Sequence, residues 1–502
     1  MINRLLSLRH DVISGVVVFL VALPLCLGIA QAVGAPPLAG LLSGIIGGLV
    51  ITVVSPSPLS VSGPAAGLIA LVLGSVATLG SMSAVLTALV LAGVLQVIMG
   101  LARFGRLAGL IPGSVVRGLL AAIGLMLIIQ QIPVALGYVP DKIWFEDASL
   151  HAFSDITPGS VVIMLGSLLL LVLWEMSFWK RTVFAKVPAP LVVVLWGMLA
   201  LTLLPTTGDW SVPLSQRVQL PELSLNGGWP LPLPDWSTLT NPQLYKVAFS
   251  IALIASLETL LSLEAVSKID PQRRAPHSDR ELVAQGSGNL ISGLLGGLPL
   301  TAVIVRSSAN VYAGAKTRFS SFFHGILLLL SALLLSPLLN SIPLASLSAI
   351  LIFTGYRLAS PALFKSLWQQ GKRIFIPFAV TVVGIIGIGM LEGIALGCVC
   401  QLLMSVTQAE KNTVALTRQG NLWLLRIHQN ITFMSKPELC RLLDSIPDGS
   451  KVHIETAPGV VLAPDLLEAI DNFRSRGDTR ALNIDMPETL RSQLSLLTQT
   501  GH

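Results

Sequence analysis

The sequence predicts an α-helical polytopic membrane protein, with fourteen transmembrane segments arranged as a 7+7 inverted repeat and a small cytoplasmic α/β domain behind them. Three observations carry that prediction: how few charges the chain has, where they lie, and where its apolar runs are interrupted. Of 502 residues only 12% are charged, against about 25% in ordinary soluble proteins, and the mean hydropathy is +0.77. Residues 1–410 hold 38 of these charges (22 basic, 16 acidic), and residues 411–502 hold 20, ten of each sign. The net charge of +6 therefore belongs wholly to the first region. This excludes a soluble enzyme and a disordered chain. It sets a boundary between a membrane domain, 1–410, and a tail of ordinary composition, 411–502.

A spanning helix needs about 20 mostly apolar residues. Suitable runs lie at 12–33, 36–55, 62–79, 83–101, 113–133, 159–177 and 188–205. After a polar, proline-rich stretch come 243–264, 281–297, 303–314, 319–339, 343–356, 375–390 and 392–408. Basic residues recur behind every second run from the fourth onward. They are Arg103 and Arg106; Lys180, Arg181 and Lys186; Lys268, Arg273, Arg274 and Arg280; Lys316 and Arg318; Arg357, Lys365, Lys372 and Arg373; and Lys411 and Arg418. The opposite loops are poor in basic residues and include Asp141, Glu146 and Asp147. Positive charge collects on the cytoplasmic side, so both termini are expected in the cytoplasm. No cleavable signal peptide is expected, because the run after Asp11 continues without a small-residue cleavage site.

Seven is odd, so a second set of seven enters the bilayer from the opposite side, as in the inverted repeats of secondary transporters. Repeat one covers about 12–205 and repeat two about 243–408. The third segment of each is irregular. Pro56-Ser57-Pro58-Leu59-Ser60-Val61-Ser62-Gly63-Pro64-Ala65-Ala66-Gly67 and Gly296-Gly297-Leu298-Pro299-Leu300-Thr301-Ala302-Val303 each place an extended stretch before a short helix. Interruptions at matching positions of two halves point to a binding site at mid-membrane, where irregular backbone survives only if it is buried or lines a cavity.

Two half-helix N-termini facing each other offer free N–H groups and positive dipole ends, which favour an anion. Ser60, Ser62 and Thr301 can add hydroxyls, and the small Gly63, Ala65, Ala66 and Ala302 let backbone approach a compact ligand. The predicted substrate-binding set is Ser62, Gly63, Pro64, Ala65, Ala66, Leu300, Thr301, Ala302, Val303 and Arg306. Arg306, inside the second half-helix, either strengthens the positive field or neutralises a carboxylate. Glu258 stands deep in the eighth run with Ser262 on the same helical face. It is expected to hold a proton, to coordinate Na⁺ near Glu258, Ser262 and Thr301, or to pair with Arg306. Na⁺ is the one cofactor considered. Arg117 and Glu264 read as snorkelling or paired charges, Glu175 and Glu392 as interfacial, and the basic loop 268–280 as a topology determinant touching lipid. Cys26, Cys398, Cys400 and Cys440 read as small buried hydrophobes. No P-loop, zincin or dinucleotide motif is present, and no catalytic residue or nucleic-acid partner is expected.

These residues resemble the SulP anion transporters, relatives of the sulfate permease and prestin group, over essentially the whole chain. The most specific stretches are Ala22-Leu23-Pro24, Val61-Ser62-Gly63-Pro64-Ala65-Ala66-Gly67, Ser256-Leu257-Glu258-Thr259-Leu260-Leu261 and Val305-Arg306-Ser307-Ser308-Ala309-Asn310 through Gly314-Ala315-Lys316-Thr317. The resemblance implies a core domain and a gate domain, an elevator-like motion, a homodimer, anion binding between the third and tenth helix N-termini, and a divergent STAS domain in the tail. Within the family the phrases look most like a bicarbonate-associated bacterial branch. Three departures stand out. Leu25-Cys26 follows Pro24 where many members carry Gln or Glu, Ser267 replaces a frequent Asp, and 458–463 lacks the usual STAS phosphorylation loop. The expected activity is secondary transport of a small inorganic anion, bicarbonate first, with Na⁺ or H⁺. A sulfate/H⁺ symporter or an anion exchanger is the alternative, and a nucleobase permease or a transport-dead scaffold stands further off.

In the tail, alternation predicts strands at 422–427, 451–454 and 482–484 and helices at 436–445, 465–473 and 487–497, a βαβαβα order.

Overall fold

Each of the fourteen predicted segments becomes a helix in the computed structural model, which describes residues 2–105, 112–138, 156–176, 187–221, 229–274, 277–411, 414–420, 422–427, 436–456, 464–475 and 482–492. The loop charges Arg106, Asp141, Glu146, Asp147, Lys180, Arg181 and Lys186 and the tail stretch 458–463 lie outside the described residues. Contacts divide the chain into two units, Met1–Gly397 and Cys398–His502.

In the first unit, repeat one begins with α1 (Ile2–Ala32) and α2 (Pro37–Ile46), which runs on through a π-helical turn, Gly47–Ile51, to Thr52–Val54. Strand β1 (Ser62–Pro64) and a 3₁₀ turn (Ala66–Leu68) then lead into α3 (Ile69–Leu79). The repeat closes with α4 (Met82–Leu101), α5 (Gly113–Ala135), α6 (Pro158–Glu175) and α7 (Ala189–Leu203). Repeat two follows the same plan: α8 (Pro242–Ile269), α9 (Ser278–Leu295), strand β2 (Leu300–Ala302), α10 (Ile304–Tyr312), α11 (Phe319–Leu334) and α12 (Leu344–Leu358). An inserted helix α13 (Pro361–Gln369) precedes α14 (Lys372–Gly387) and α15 (Met390–Lys411), whose residues from Cys398 on count to the second unit. Seven stretches among the described residues are long and apolar enough to cross a membrane unaided. The rest are shorter or, like α9 with Asp279, Arg280 and Glu281 in its first turn, more polar.

Packing repeats with the chain. α1 on α11 is matched by α8 on α4, α2 on α11 by α9 on α4, and α5 on α14 by α12 on α6. Each match is a shift of seven spans, so the two halves use the same contacts twice. The contacts also sort the helices into a core group, α1–α4 with α8–α11, and a gate group built on α5, α6, α7, α12 and α14. The core group is fastened at its ends by polar caps. The buried Asp11 carboxylate accepts from the Lys316 and Thr317 N–H groups at 2.7 and 3.1 Å, tying α1 to the turn before α11.

Helix α13 had no counterpart among the predicted segments. Its Leu367 is buried while Trp368 is 60% exposed and stacks edge-on against Phe375. A nine-residue helix with one apolar stripe is too short for a span signal, and the residues around it had read as a basic loop.

The tail unit holds a four-stranded sheet in the order β3 (Val414–Gln419), β4 (Leu422–Ile427), β5 (Lys451–Thr456), β6 (Asn483–Asp485), with β3 antiparallel to β4 and the others parallel. Helices α16 (Lys436–Asp444) and α17 (Pro464–Ser475) cover a core of Leu425, Ile427, Val452, Ile454, Leu466 and Ile470. The expected strands and first two helices are present. The expected βαβαβα order gains one strand at its start, because β3 precedes β4 and returns into it through a turn at Gly420, φ +65°. The helix expected at 487–497 is described only to residue 492, where its start at 488 is helical.

Candidate anion site at the paired half-helices

Extended backbone runs into the core group twice, and the two stretches bond to each other. β1 and β2 are fully buried and pair antiparallel, Ser62 opposite Ala302, Gly63 opposite Thr301 and Pro64 opposite Leu300. Val303 N–H adds a bond to the Val61 carbonyl at 2.9 Å. The expectation of an extended stretch before each short helix is met, and the first helix begins at Ala66 instead of Ser62 because Pro64 and its neighbours are spent on this pairing.

Both helices then start in the same way. The N-cap residues are Ala65 (φ −109°, ψ 134°) and Val303 (φ −108°, ψ 116°), and neither end carries a side-chain cap. Helix starts leave their first N–H groups without intrahelical partners. At two uncapped starts these groups and the dipole ends make a setting of the kind that favours an anion.

Polar side chains of neighbouring helices fix the strands. On α9, Asn289 takes both backbone groups of Leu300, accepting from its N–H at 2.7 Å and donating to its carbonyl at 3.1 Å. Gln285 donates to Ser62 Oγ at 2.6 Å and to Glu281 Oε1 at 3.0 Å, and Glu281 Oε2 accepts from Ser55 at 2.6 Å. Thr259 on α8 accepts from Ala302 N–H at 3.3 Å. The stripe Glu281, Gln285, Asn289 and Ser292 follows helical spacing and is fully buried. The sequence had shown that stripe in plain view, yet Glu281 passed as a residue at a span end. Ser62, expected to face the ligand, is instead tied to α9.

Arg306 is fully buried. Its Nη2 donates to the Pro64 carbonyl at 3.3 Å, while Nε and Nη1 are buried without acceptors. A Cβ at Gly63 would collide with Nη1, so glycine there makes room for the guanidinium. The Cys26 thiol lies beside the same guanidinium. Arg306 forms no ion pair with Glu258, and Glu258 Oε2 is buried without a donor. The pairing alternative is thereby corrected, and Arg306 keeps its charge and two donors unspent.

Glu258 instead lies against the first half-helix, its carboxylate in contact with Gly67. Ser262 is buried one turn along α8, and Thr301 is fully buried with an unpartnered Oγ1. No hydrogen bond joins Ser262 to Glu258 or Thr301 among the described residues. Beyond the site, a cavity of about 260 Å³ opens between Pro56–Ser60 and the end of α8. At its edge Arg274 grips Asp270 through Nε at 2.7 Å and Nη2 at 3.1 Å, which holds the Asp270 carboxyl below the usual carboxylate range. Lys268 pairs with Glu264, and Arg357 with Glu175.

Comparison with known proteins agrees with this architecture. Sulfate transporter 4.1, chloroplastic, of Arabidopsis thaliana is 28% identical, the match covering 84% of this chain and 62% of that protein. The bicarbonate transporter BicA of Synechocystis is 27% identical over 70% of this chain and 61% of its own length. Among solved structures, the murine solute carrier 26 family member A9 anion transporter in the inward-facing state superposes with a TM-score of 0.73 at 16% identity, covering 97% of this chain and 87% of that one. The fold is that of a helical polytopic membrane transporter with a small sheet domain at its C-terminal end. The pattern of the sulfate permease family matches residues 8–381, which include both half-helices and every residue of the expected site, and the chain belongs to that family.

Proposed function

We propose that this protein is a secondary active transporter of a small inorganic anion, hydrogen carbonate above others, in a bacterial inner membrane. The observation that carries the reading is the pair of uncapped helix starts joined by β1 and β2, with the unspent donors of Arg306 beside them. The anion takes the place of the missing caps and serves as counter-ion to Arg306. The substrate-binding set is the one expected from the sequence, with Ser62 and Leu300 acting through the scaffold on α9. Alternation follows from displacement of the core group against the gate group, in an elevator-like motion within a homodimer. The tail is a divergent STAS domain with a packing or dimer role, and the domain boundary lies near residue 410. Sulfate is the second reading, favoured by the sulfate transporters among the relatives.

Glu258 couples the anion to a cation. An ionised carboxylate against Gly67 competes with the anion for the same dipole end, so a proton or Na⁺ on Glu258 favours occupancy. Proteoliposome uptake of labelled bicarbonate and sulfate, with and without Na⁺ or pH gradients, tests the assignment; saturable uptake of neither overturns it. Glu258→Gln is expected to retain downhill anion flux and to lose gradient-driven accumulation. Accumulation that survives the substitution refutes the coupling role.

A further inference from the structure

Two basic stretches of the first unit are neutralised very differently. In the loop after α8, Lys268 pairs with Glu264 and Arg274 with Asp270. Between Glu281 and Glu392, by contrast, the chain has seven basic residues and no acidic one. Three of these, Lys365 on α13 and Lys372 and Arg373 at the start of α14, are exposed. None of the three has an ion-pair or hydrogen-bond partner among the described residues.

Helix α13 joins the ends of two spans on one face of the membrane, the cytoplasmic one by its basic residues. Its nine residues rise about 13 Å, far short of the ~30 Å hydrocarbon core, so it stays at that face. One side of it is packed onto the protein. Leu367 is buried, Phe364 meets Phe378 edge-on with ring centres 5.0 Å apart, and Trp368 meets Phe375 edge-on at 4.9 Å. Gly371, at φ +107°, makes the turn into α14, a backbone conformation that suits glycine. Trp368 is therefore held in place yet 60% exposed, three residues after Lys365 and four before Lys372. At the end of α12, Tyr356 is also exposed.

Aromatic rings of this kind settle at the headgroup level of a bilayer, and lysine and arginine beside them attract anionic headgroups. Topology alone accounts for the charges, but the equally basic loop after α8 has neither an inserted helix nor a tryptophan. We infer that α13 and the first turn of α14 form a binding site for an anionic phospholipid. Lys365, Lys372 and Arg373 supply the charge for its phosphate, and Trp368 the contact for its apolar part. Bound there, the lipid fastens the gate group, through α14, at the membrane face. The site is independent of which anion the protein carries.

Full-length protein in a neutral detergent is titrated with dihexanoyl phosphatidylglycerol and, separately, with dihexanoyl phosphatidylcholine, and binding is followed by native mass spectrometry. The wild type is expected to prefer phosphatidylglycerol about tenfold. Lys365→Gln and Lys372→Gln should each weaken phosphatidylglycerol about fivefold, the worth of one charge beside an anionic headgroup, and leave phosphatidylcholine unchanged, which reports that they are folded. Trp368→Ala should weaken both lipids by a similar factor. Arg273→Gln, in the loop after α8, should stay within about twofold, as an exposed substitution away from the site. A wild type without preference, or equal losses in the Lys365, Lys372 and Arg273 variants, overturns the proposal. Displacement of the lipid by an equal concentration of inorganic phosphate also overturns it, since the patch would then be a site for free anions.

Discussion

The two half-helix starts are close copies in backbone and opposites in chemistry. Ala65 and Val303 have nearly the same dihedral angles, both follow a strand of the same pair, and both lack a side-chain cap. Three residues further on, however, one repeat has Leu68 and the other Arg306. Two residues on, Gly67 stands against the Glu258 carboxylate, while Val305 is 44% exposed. The duplicated backbone supplies a symmetric frame for an anion. The side chains then make one end a donor and surround the other with acceptors. Symmetry thus belongs to the backbone, and the two starts differ in the side chains placed around them.

The largest effect is expected from removing the donor end. Arg306→Met should lower anion uptake about 100-fold, equivalent to about 3 kcal/mol, consistent with losing charge-assisted hydrogen bonds to the ligand. The thermal midpoint in detergent should hold steady or rise, since a buried guanidinium with two unpartnered groups burdens the fold. A large fall in the midpoint would make Arg306 a structural residue and dissolve the contrast.

A smaller effect tests the acceptor end. A Cβ on Gly67 would lie 2.8 Å and 2.9 Å from the two Glu258 oxygens, so Gly67→Ala must displace the carboxylate. Its KM for the anion should rise about tenfold, whereas Val305→Ala should stay within about twofold, as for an exposed substitution. Equal responses would show that the two starts are chemically equivalent after all.

The smallest difference concerns the scaffold. Asn289→Leu strands two backbone groups of Leu300, while Gln285→Leu releases only a side-chain contact to Ser62 and one to Glu281. Asn289→Leu should be the more destabilising by about 1 kcal/mol in equilibrium unfolding, because buried backbone groups left unpaired are costly. The reverse order would place the greater burden on the first strand.

The spans, the interruption in each repeat, and the prominence of Glu258 and Arg306 were legible because membrane burial is written in local composition. Pro56, Pro58, Pro64 and Pro299 cannot sit in a continuous helix hydrogen-bond ladder, so the breaks were visible one segment at a time. What stayed hidden depends on partners far away in sequence. Glu281 reads as an end residue until Ser55 and Gln285 close over it. Ser62 stands out at the junction, but its bond from Gln285 on α9 depends on the register of β1 against β2 and could not be read. Helix α13 and strand β3 were missed for a local reason: each lies among charges that read as a basic loop, Lys365 with Lys372 and Arg373 in one case and Lys411 with Arg418 in the other.

The β1–β2 pairing also bears on biogenesis. Arg306 reaches the Pro64 carbonyl across 242 residues of chain, so the first repeat has been synthesised in full long before its partner strand emerges. During that interval Ser62–Pro64 has no strand to pair with, and an unpaired extended segment is poorly tolerated in lipid. The first repeat is therefore expected to wait in a provisional arrangement, its third segment shielded by neighbouring helices or by the insertion machinery, until α8–α10 arrive. Long-range pairings of this kind slow folding. The strand pair can therefore close only after β2 has been synthesised, which makes it a late step of assembly.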